Sequence, residues 1–287
     1  MIQPYTAMNR RIFVINCNGQ RFGITANQAV NDDFLILSLL VIKNIGDLND
    51  KLNKNAQPVK ALVKENKNKA IQDLLAVGKK DEVINILRGN YRFEMKFDHI
   101  SNGDRKPYYK NMIDIFLADS DNRFSAMVVD KEHKDFNNNE LGDAWETYTK
   151  YIAMLVATEM AKLSSNDELC LVVDEISKPQ TKTLSLEDAV LSKLRDHITN
   201  ISNLDFNKIF GCFSIESHSN MPMQLCDVLL GSVMYDYKKQ AGLTSERTEI
   251  KKEDFVSNLR KAFSVDSLAK EFTFESKAYF NVFECSQ

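Results

Sequence analysis

The run Phe34 to Lys43, FLILSLLVIK, constrains the chain more than any other segment. It is too apolar to face water on either side, so it reads as a central strand of a sheet covered on both faces. Its nine most apolar residues, Phe34 to Ile42, are about half of what a membrane-spanning helix needs, so no membrane segment is expected.

Other strands can be placed around it. Arg11 to Asn16, RIFVIN, is a short apolar strand followed by the turn signal Asn18-Gly19, and Arg21 to Thr25 reads as a second strand. With Phe34 to Lys43 these form an expected antiparallel meander. Pro58 to Leu87 carries a helical pattern through Val59, Leu62, Val63, Ile71, Leu74 and Leu75. Asn90 to Phe97 alternates as a strand, with Tyr91, Phe93, Met95 and Phe97 on one face and Arg92, Glu94 and Lys96 on the other. A helix is expected over Tyr108 to Leu117, a strand over Phe124 to Asp130 and a long helix over Leu141 to Leu163.

The remainder alternates strand and helix. Leu169 to Val173 is a strand, and Ser185 to Ile201 a helix with Ser185 as N-cap and Asp188 at its third position. Phe206 to Ile215 is a strand and Pro222 to Lys239 a helix with proline in its first turn. Two short helices and a final strand, Tyr279 to Phe283, complete the pattern. A meander followed by strand–helix units predicts an α/β fold, a mixed sheet with helices on its faces. One domain over residues 1–287, with a helical insertion at about 47–89, accommodates all of these elements.

Composition narrows the function classes. Five cysteines without a C-x-x-C pair exclude a zinc ribbon and a disulfide framework, and imply free thiols in a reducing compartment. The N-terminal MIQPYTAMNRRIFVINCNG lacks the apolar stretch of a signal peptide, so the expected location is cytoplasmic. The net charge of −3 excludes a global polycation, yet Lys51 to Lys80 holds eight lysines against Glu65 and Asp73, a local +6. Such a run is either a solvated helix face or a phosphate-backbone surface, with Lys60, Lys64 and Lys67 as candidate contacts.

The chemistry-bearing candidates are acids near strand ends. Asp174 directly follows LCLVV, at the carboxyl end of a buried strand, where ligands bind in open α/β sheets. Gln224, Asp227 and Gly231 are spaced three and four apart and stack along one side of a helix. Gly231, lacking a side chain, leaves room beside Asp227 for a ligand or for close backbone approach. Glu94 and Lys96 share the polar face of their strand, and Ser217, His218 and Ser219 follow the strand ending at Ile215. Each has an ordinary structural role in isolation: a loop cap, a helix-dipole partner, a surface pair, an exposed loop. Together, three acids entering one side of a mixed sheet provide the carboxylate oxygens that two-metal phosphoryl transfer requires.

Four segments resemble the RNase H-like family catalogued as domain of unknown function 3800, over most of the chain. They are RIFVINCNG, the pair Glu94-Met-Lys96, LCLVVDE with Asp174, and FGCFSIESHSNMPMQLCDVLLGSVMYDY with Ser217, Gln224, Asp227 and Gly231. The resemblance implies an RNase H-like sheet and a Mg²⁺- or Mn²⁺-dependent nuclease site. Glu94, Asp174 and Asp227 would be the metal-binding acids, Ser217 and Gln224 supporting residues, and Lys96 a phosphate contact. Family analogy suggests a setting in mobile elements or phage defence. The family's Asp-Glu-Ser-Gly is replaced here by Asn16-Cys17-Asn18-Gly19, and an amide lacks the charge and second oxygen of a carboxylate.

Three readings follow: a metal-dependent nuclease weakened at Asn16, an inactive relative binding nucleic acid or protein (a homodimer included), and another metal-dependent phosphohydrolase. Serine-hydrolase and P-loop chemistry lack their motifs, and no histidine pair has zinc spacing.

Overall fold

The computed structural model describes residues 9–18, 34–88, 93–101, 103, 105–130, 144–164, 166–176, 178–199 and 204–285. Within them the chain forms an α/β structure, a seven-stranded mixed sheet flanked by helices.

The first strand, β1, spans Asn9–Asn18, and β2 spans Phe34–Ile42. They pair antiparallel, and the register sets Asn16 opposite Ser38. The expected strand at 21–25 lies outside the described residues; among the described ones the antiparallel partner of β1 is the apolar run itself. Every residue from Leu35 to Ile42 is buried, as its composition demands. The third strand, β3 (Arg123–Asp130), continues the meander antiparallel to β2. On the other side of β1, β4 (Asp167–Asp174) and then β5 (Ile209–Ile215) add in parallel. Two C-terminal strands, β6 (Phe272–Phe274) and β7 (Tyr279–Glu284), extend the opposite edge and give the order β5-β4-β1-β2-β3-β7-β6. The three-residue β6 is too short to have been read from alternation.

Helices fill both faces. The segment between β2 and β3 begins with α1 (Ile45–Ala76), continues with α2 (Lys80–Arg88) and ends with α3 (Lys106–Leu117). The start of α1 corrects the expectation that this helix begins at Pro58. The true N-cap is Asn44, whose side chain accepts from Asp47 N at 3.1 Å, and Pro58 lies inside the helix. Leu48, Leu52, Ala56 and Val59 form its buried stripe, and no residue beyond Val59 is fully buried, so the second half of α1 projects outward with α2 against it. Asn55 ties the rooted half to α3: it donates to Tyr108 O and accepts from Asn111 Nδ2, both at 2.8 Å.

The expected strand at 90–97 is also corrected. Residues 90–92 lie outside the described residues, while 93–96 join no strand and lead, through an extended Lys96, into a 3-10 turn at Phe97–His99. Alternation alone does not provide a strand with a partner.

After β3 come α4 (Ala144–Met160) and, beyond β4, α5 (Leu186–Thr199), where Ser185 Oγ accepts from Asp188 N at 3.1 Å as the capping pattern predicts. These two helices cover one face through Phe13, Ile15, Leu37, Leu39, Leu171 and Val173. The other face is covered by α6 (Met221–Gln240), buried at most positions from Met221 to Tyr237, with α1, α3 and α7 (Glu246–Phe263) outside it. Helix α7 replaces the two short helices expected there. Its eighteen residues have Ser245 as N-cap and bury Phe255, Val256, Leu259 and Phe263 at helical spacing.

Among the described residues no helix is long and apolar enough to cross a membrane.

Candidate functional site

The site candidates lie on the α6 face. Along β4, Leu169, Leu171 and Val173 point to the α4–α5 layer, so period-two alternation turns Val172 and Asp174 toward α6. Helix α6 starts immediately beyond a 3-10 turn at Ser217–Ser219 that follows β5. Asn220 caps it, accepting from Met223 N at 2.9 Å. This cap and Pro222 fix where Gln224 and Asp227 emerge.

Segment 94–97 is stitched to that helix by two side chains. Gln224 accepts from Met95 N at 2.7 Å through Oε1, and its Nε2 donates to Ser217 O at 3.1 Å and to His218 O at 3.3 Å. Asp227 Oδ2 accepts from Phe97 N at 2.9 Å. Gln224 and Asp227 thus supply the partners a sheet would otherwise have supplied to residues 95 and 97. Between these anchors Glu94 meets Lys96 Nζ at 2.8 Å through Oε2, and its Oε1 accepts from Ser217 Oγ at 3.3 Å.

Electrostatics bind the four charged groups into one cluster. Burial pushes Asp174 up to about 6, and repulsion from Asp227 and Glu94 adds to this, with Lys96 opposing. Burial likewise raises Asp227, against the Phe97 N–H and Lys96. For Lys96 burial acts downward, but the hydrogen bond to Glu94 and the fields of Glu94, Asp227 and Asp174 outweigh it and hold the ammonium. Lys96 thus pairs with Glu94 and lies in the fields of Asp227 and Asp174.

Position 16 approaches the same place through the backbone. Its register partner Ser38 has Oγ 3.2 Å from Cys226 Sγ, and Cys226 is the residue before Asp227. Cys226 Sγ also lies 3.6 Å from Val14 O, so α6 sits directly on β1 here. The side chains of Asn16 and Cys17 lie outside the described residues.

The donor set, carboxylate oxygens alone, suits a hard divalent cation rather than zinc or copper. Among the described residues, however, no three His, Cys, Asp or Glu side chains are gathered closely enough to hold one. Glu94 directs both oxygens elsewhere, one to Lys96 and one to Ser217. Holding a cation through Glu94 would therefore require the ammonium of Lys96 to move aside.

Gly231 has a different role from the one expected. A Cβ built there would stand 2.3 Å from Phe97 Cγ and 2.4 Å from Phe97 Cβ, so the space beside Asp227 is taken by an aromatic ring. Close approach is the reason for the glycine, but by a side chain of this chain and not by a ligand. Gly231→Ala is expected to lower stability by about 1–3 kcal/mol through overpacking. Urea unfolding of this variant and of Gly231→Ala combined with Phe97→Leu checks it: the second change should recover part of the loss.

The basic run is less uniform than its charge. Lys51 pairs with Asp47 at 2.6 Å and Lys79 with Glu82 at 2.8 Å. Lys60 donates to Asn53 Oδ1 at 3.3 Å and lies 5.6 Å from the Phe93 ring centroid, next to Glu94 in sequence. Lys64 is exposed on the outer half of α1 and Lys67 half-buried there. His218 Nδ1 lies 3.0 Å from Glu216 Oε2.

Sequence reasoning missed Phe97, whose backbone N–H, carbonyl and ring each hold part of this site, and Lys252 of α7, which donates to Phe97 O. The only signal was Gly231 inside an otherwise apolar helix, and it does not name its partner.

No family model, curated protein or solved structure matches the chain.

Proposed function

We propose that the protein is an RNase H-like, divalent-metal-dependent phosphodiester hydrolase, a nuclease whose site is weakened at position 16. The observation that carries this reading is that Lys96, paired with Glu94 at 2.8 Å, also lies in the fields of Asp227 and Asp174, and that repulsion from Asp227 and Glu94 adds to the burial that raises Asp174 at the carboxyl end of β4. Structural acids on a surface are spaced apart or paired one to one, whereas sites built for cations or phosphates crowd like charges. The strand order supports the fold half of the reading: an antiparallel meander, β1-β2-β3, is extended in parallel by β4 and β5 beyond β1.

In this reading Glu94, Asp174 and Asp227 would hold Mg²⁺ or Mn²⁺, which would polarise a phosphoryl oxygen and lower the pKa of a bound water. Gln224 and Ser217 position Glu94 and the 95–97 backbone. Lys96, displaced from Glu94, would meet a phosphate oxygen, and Lys60, Lys64 and Lys67 would line the approach of a nucleic-acid backbone.

The test is cleavage of labelled single- and double-stranded DNA and RNA with Mg²⁺ or Mn²⁺, comparing the protein with Asn16→Asp. Restoring the anion should raise the metal-dependent rate by about tenfold or more, since even groups behind the ligands of metal sites are worth 10–100-fold. A rate indistinguishable from buffer in both proteins rejects hydrolysis. One observation favours a second reading, a non-catalytic nucleic-acid- or protein-binding relative: Glu94 has both oxygens engaged within the chain. In that case metal would neither stabilise the protein nor alter its nucleic-acid affinity.

A further inference from the structure

Beside Phe97 a cavity of about 350 Å³ opens between α6 and α7. That volume lies within the range of small-molecule sites, which combine apolar walls with a few polar groups. Phe97, Met234, Tyr235 and Leu243 provide apolar and aromatic walls. Lys238 and Lys252 line it together with Thr244, Ser245 and Thr248, which surround the start of α7.

Lys252 is the unusual member. It is only 5% exposed, and among the described residues its hydrogen-bond acceptor is the neutral carbonyl of Phe97, with the ammonium 4.5 Å from the Phe97 ring centroid. Burial brings its pKa down to about 8, with Asp98 and Asp227 opposing. A buried ammonium facing neutral partners is costly unless an anion joins it. The acids of α7 nearest to it are otherwise engaged. Glu249 accepts from Thr244 Oγ1 at 2.7 Å, and Glu253 accepts from Tyr235 Oη and Lys239 Nζ, each at 2.8 Å. Among the described residues that line the cavity, Asp98 is the one acid, and Lys252, Lys238 and the positive end of an eighteen-residue helix accompany it.

We propose that this cavity is a binding site for a small aromatic phosphate of mononucleotide size, its anion held by Lys252 and Lys238 at the start of α7 and its ring against Phe97 and Tyr235. The assignment is independent of what Glu94, Asp174 and Asp227 bind.

Isothermal titration calorimetry with adenosine 5′-monophosphate, inorganic phosphate and adenosine tests it on the full chain. The monophosphate should bind at micromolar to millimolar concentration, more tightly than phosphate or adenosine alone. Lys252→Met should weaken it by about tenfold or more, the worth of one hydrogen bond to a charged group. Because Lys252→Met also leaves the Phe97 carbonyl without its donor, Leu243→Trp provides a second arm. Leu243 is exposed at the rim, so the larger ring should obstruct the cavity and weaken binding while the melting temperature holds. Asp174→Asn should leave the affinity unchanged. Absence of monophosphate binding, binding that survives both Lys252→Met and Leu243→Trp, or binding lost in Asp174→Asn each overturns the assignment.

Discussion

For the proposed metal site, Asp227→Asn is expected to abolish Mn²⁺-dependent thermal stabilisation and to lower metal-dependent phosphodiester cleavage by more than about 100-fold. The magnitude follows from metal sites in general, where loss of a group behind the ligands already costs 10–100-fold. The substitution isolates charge from architecture. Asp227 holds Phe97 N through Oδ2 at 2.9 Å, and an asparagine carbonyl oxygen can accept the same bond. Segment 94–97 should therefore stay on α6, where Gln224 also anchors it through Met95 N. Differential scanning fluorimetry with and without Mn²⁺, beside cleavage assays on the same preparations, provides the measurement. Stabilisation by Mn²⁺ that is equal in both proteins would place the cation elsewhere and remove Asp227 from the ligand set. Asp174→Asn is expected to act in the same direction, because its carboxyl shares the field of Lys96.

The largest stability effect is expected at Arg260. Its Nε donates to Asp236 Oδ2 at 2.9 Å, Nη2 meets Asp236 Oδ1 at 2.5 Å, and Nη1 meets Glu253 Oε1 at 2.8 Å. Asp236 is 3% exposed and also accepts from Leu268 N at 2.7 Å, so one carboxylate ties α6, α7 and the chain after α7 together. Arg260→Met strands a buried anion and should cost about 3–5 kcal/mol in urea unfolding, the usual result of breaking one side of a buried pair. Arg260→Met with Asp236→Leu should recover part of that, though not all, since Leu268 N would lose its acceptor.

The same network predicts a pH dependence. Hydrogen bonds from Arg260, then Lys239 and Tyr235, hold Glu253 down to about 2, from an ordinary 4.5, against the opposing effect of burial. A carboxylate depressed on folding contributes stability that is complete above its unfolded value and disappears as pH falls through its folded one. The acid loss should therefore develop between about pH 4.5 and 2, and Glu253→Gln should flatten that limb of the stability profile.

Local patterns already specified much of the sheet. Period-two and fully apolar runs identify β2, β3, β4 and β5, because burial on one or both faces leaves that imprint within a few residues. Capping chemistry marked α5 and α6, whose Ser185 and Pro222 act within one helical turn. Where local signals conflicted, they misled. Pro58 suggested a helix start, yet the stripe Leu48–Leu52–Ala56–Val59 carries α1 back to Ile45. Residues 93–97 alternate like a strand, but find Gln224 and Asp227 as partners where a neighbouring strand was expected.

By itself the sequence determined which residue types stand at strand ends and helix faces: an acid after LCLVV, and Gln224, Asp227 and Gly231 on one side of α6. Only the tertiary structure decided what they face, that Phe97 fills the space over Gly231, that Lys96 pairs with Glu94 in the fields of Asp227 and Asp174, and that Lys252 is buried against Phe97. The physical reason is range. Backbone periodicity and capping are enforced by neighbours within a turn or a strand pair, whereas a ring against a glycine depends on the shape of two segments that meet only once the sheet and its helices have closed.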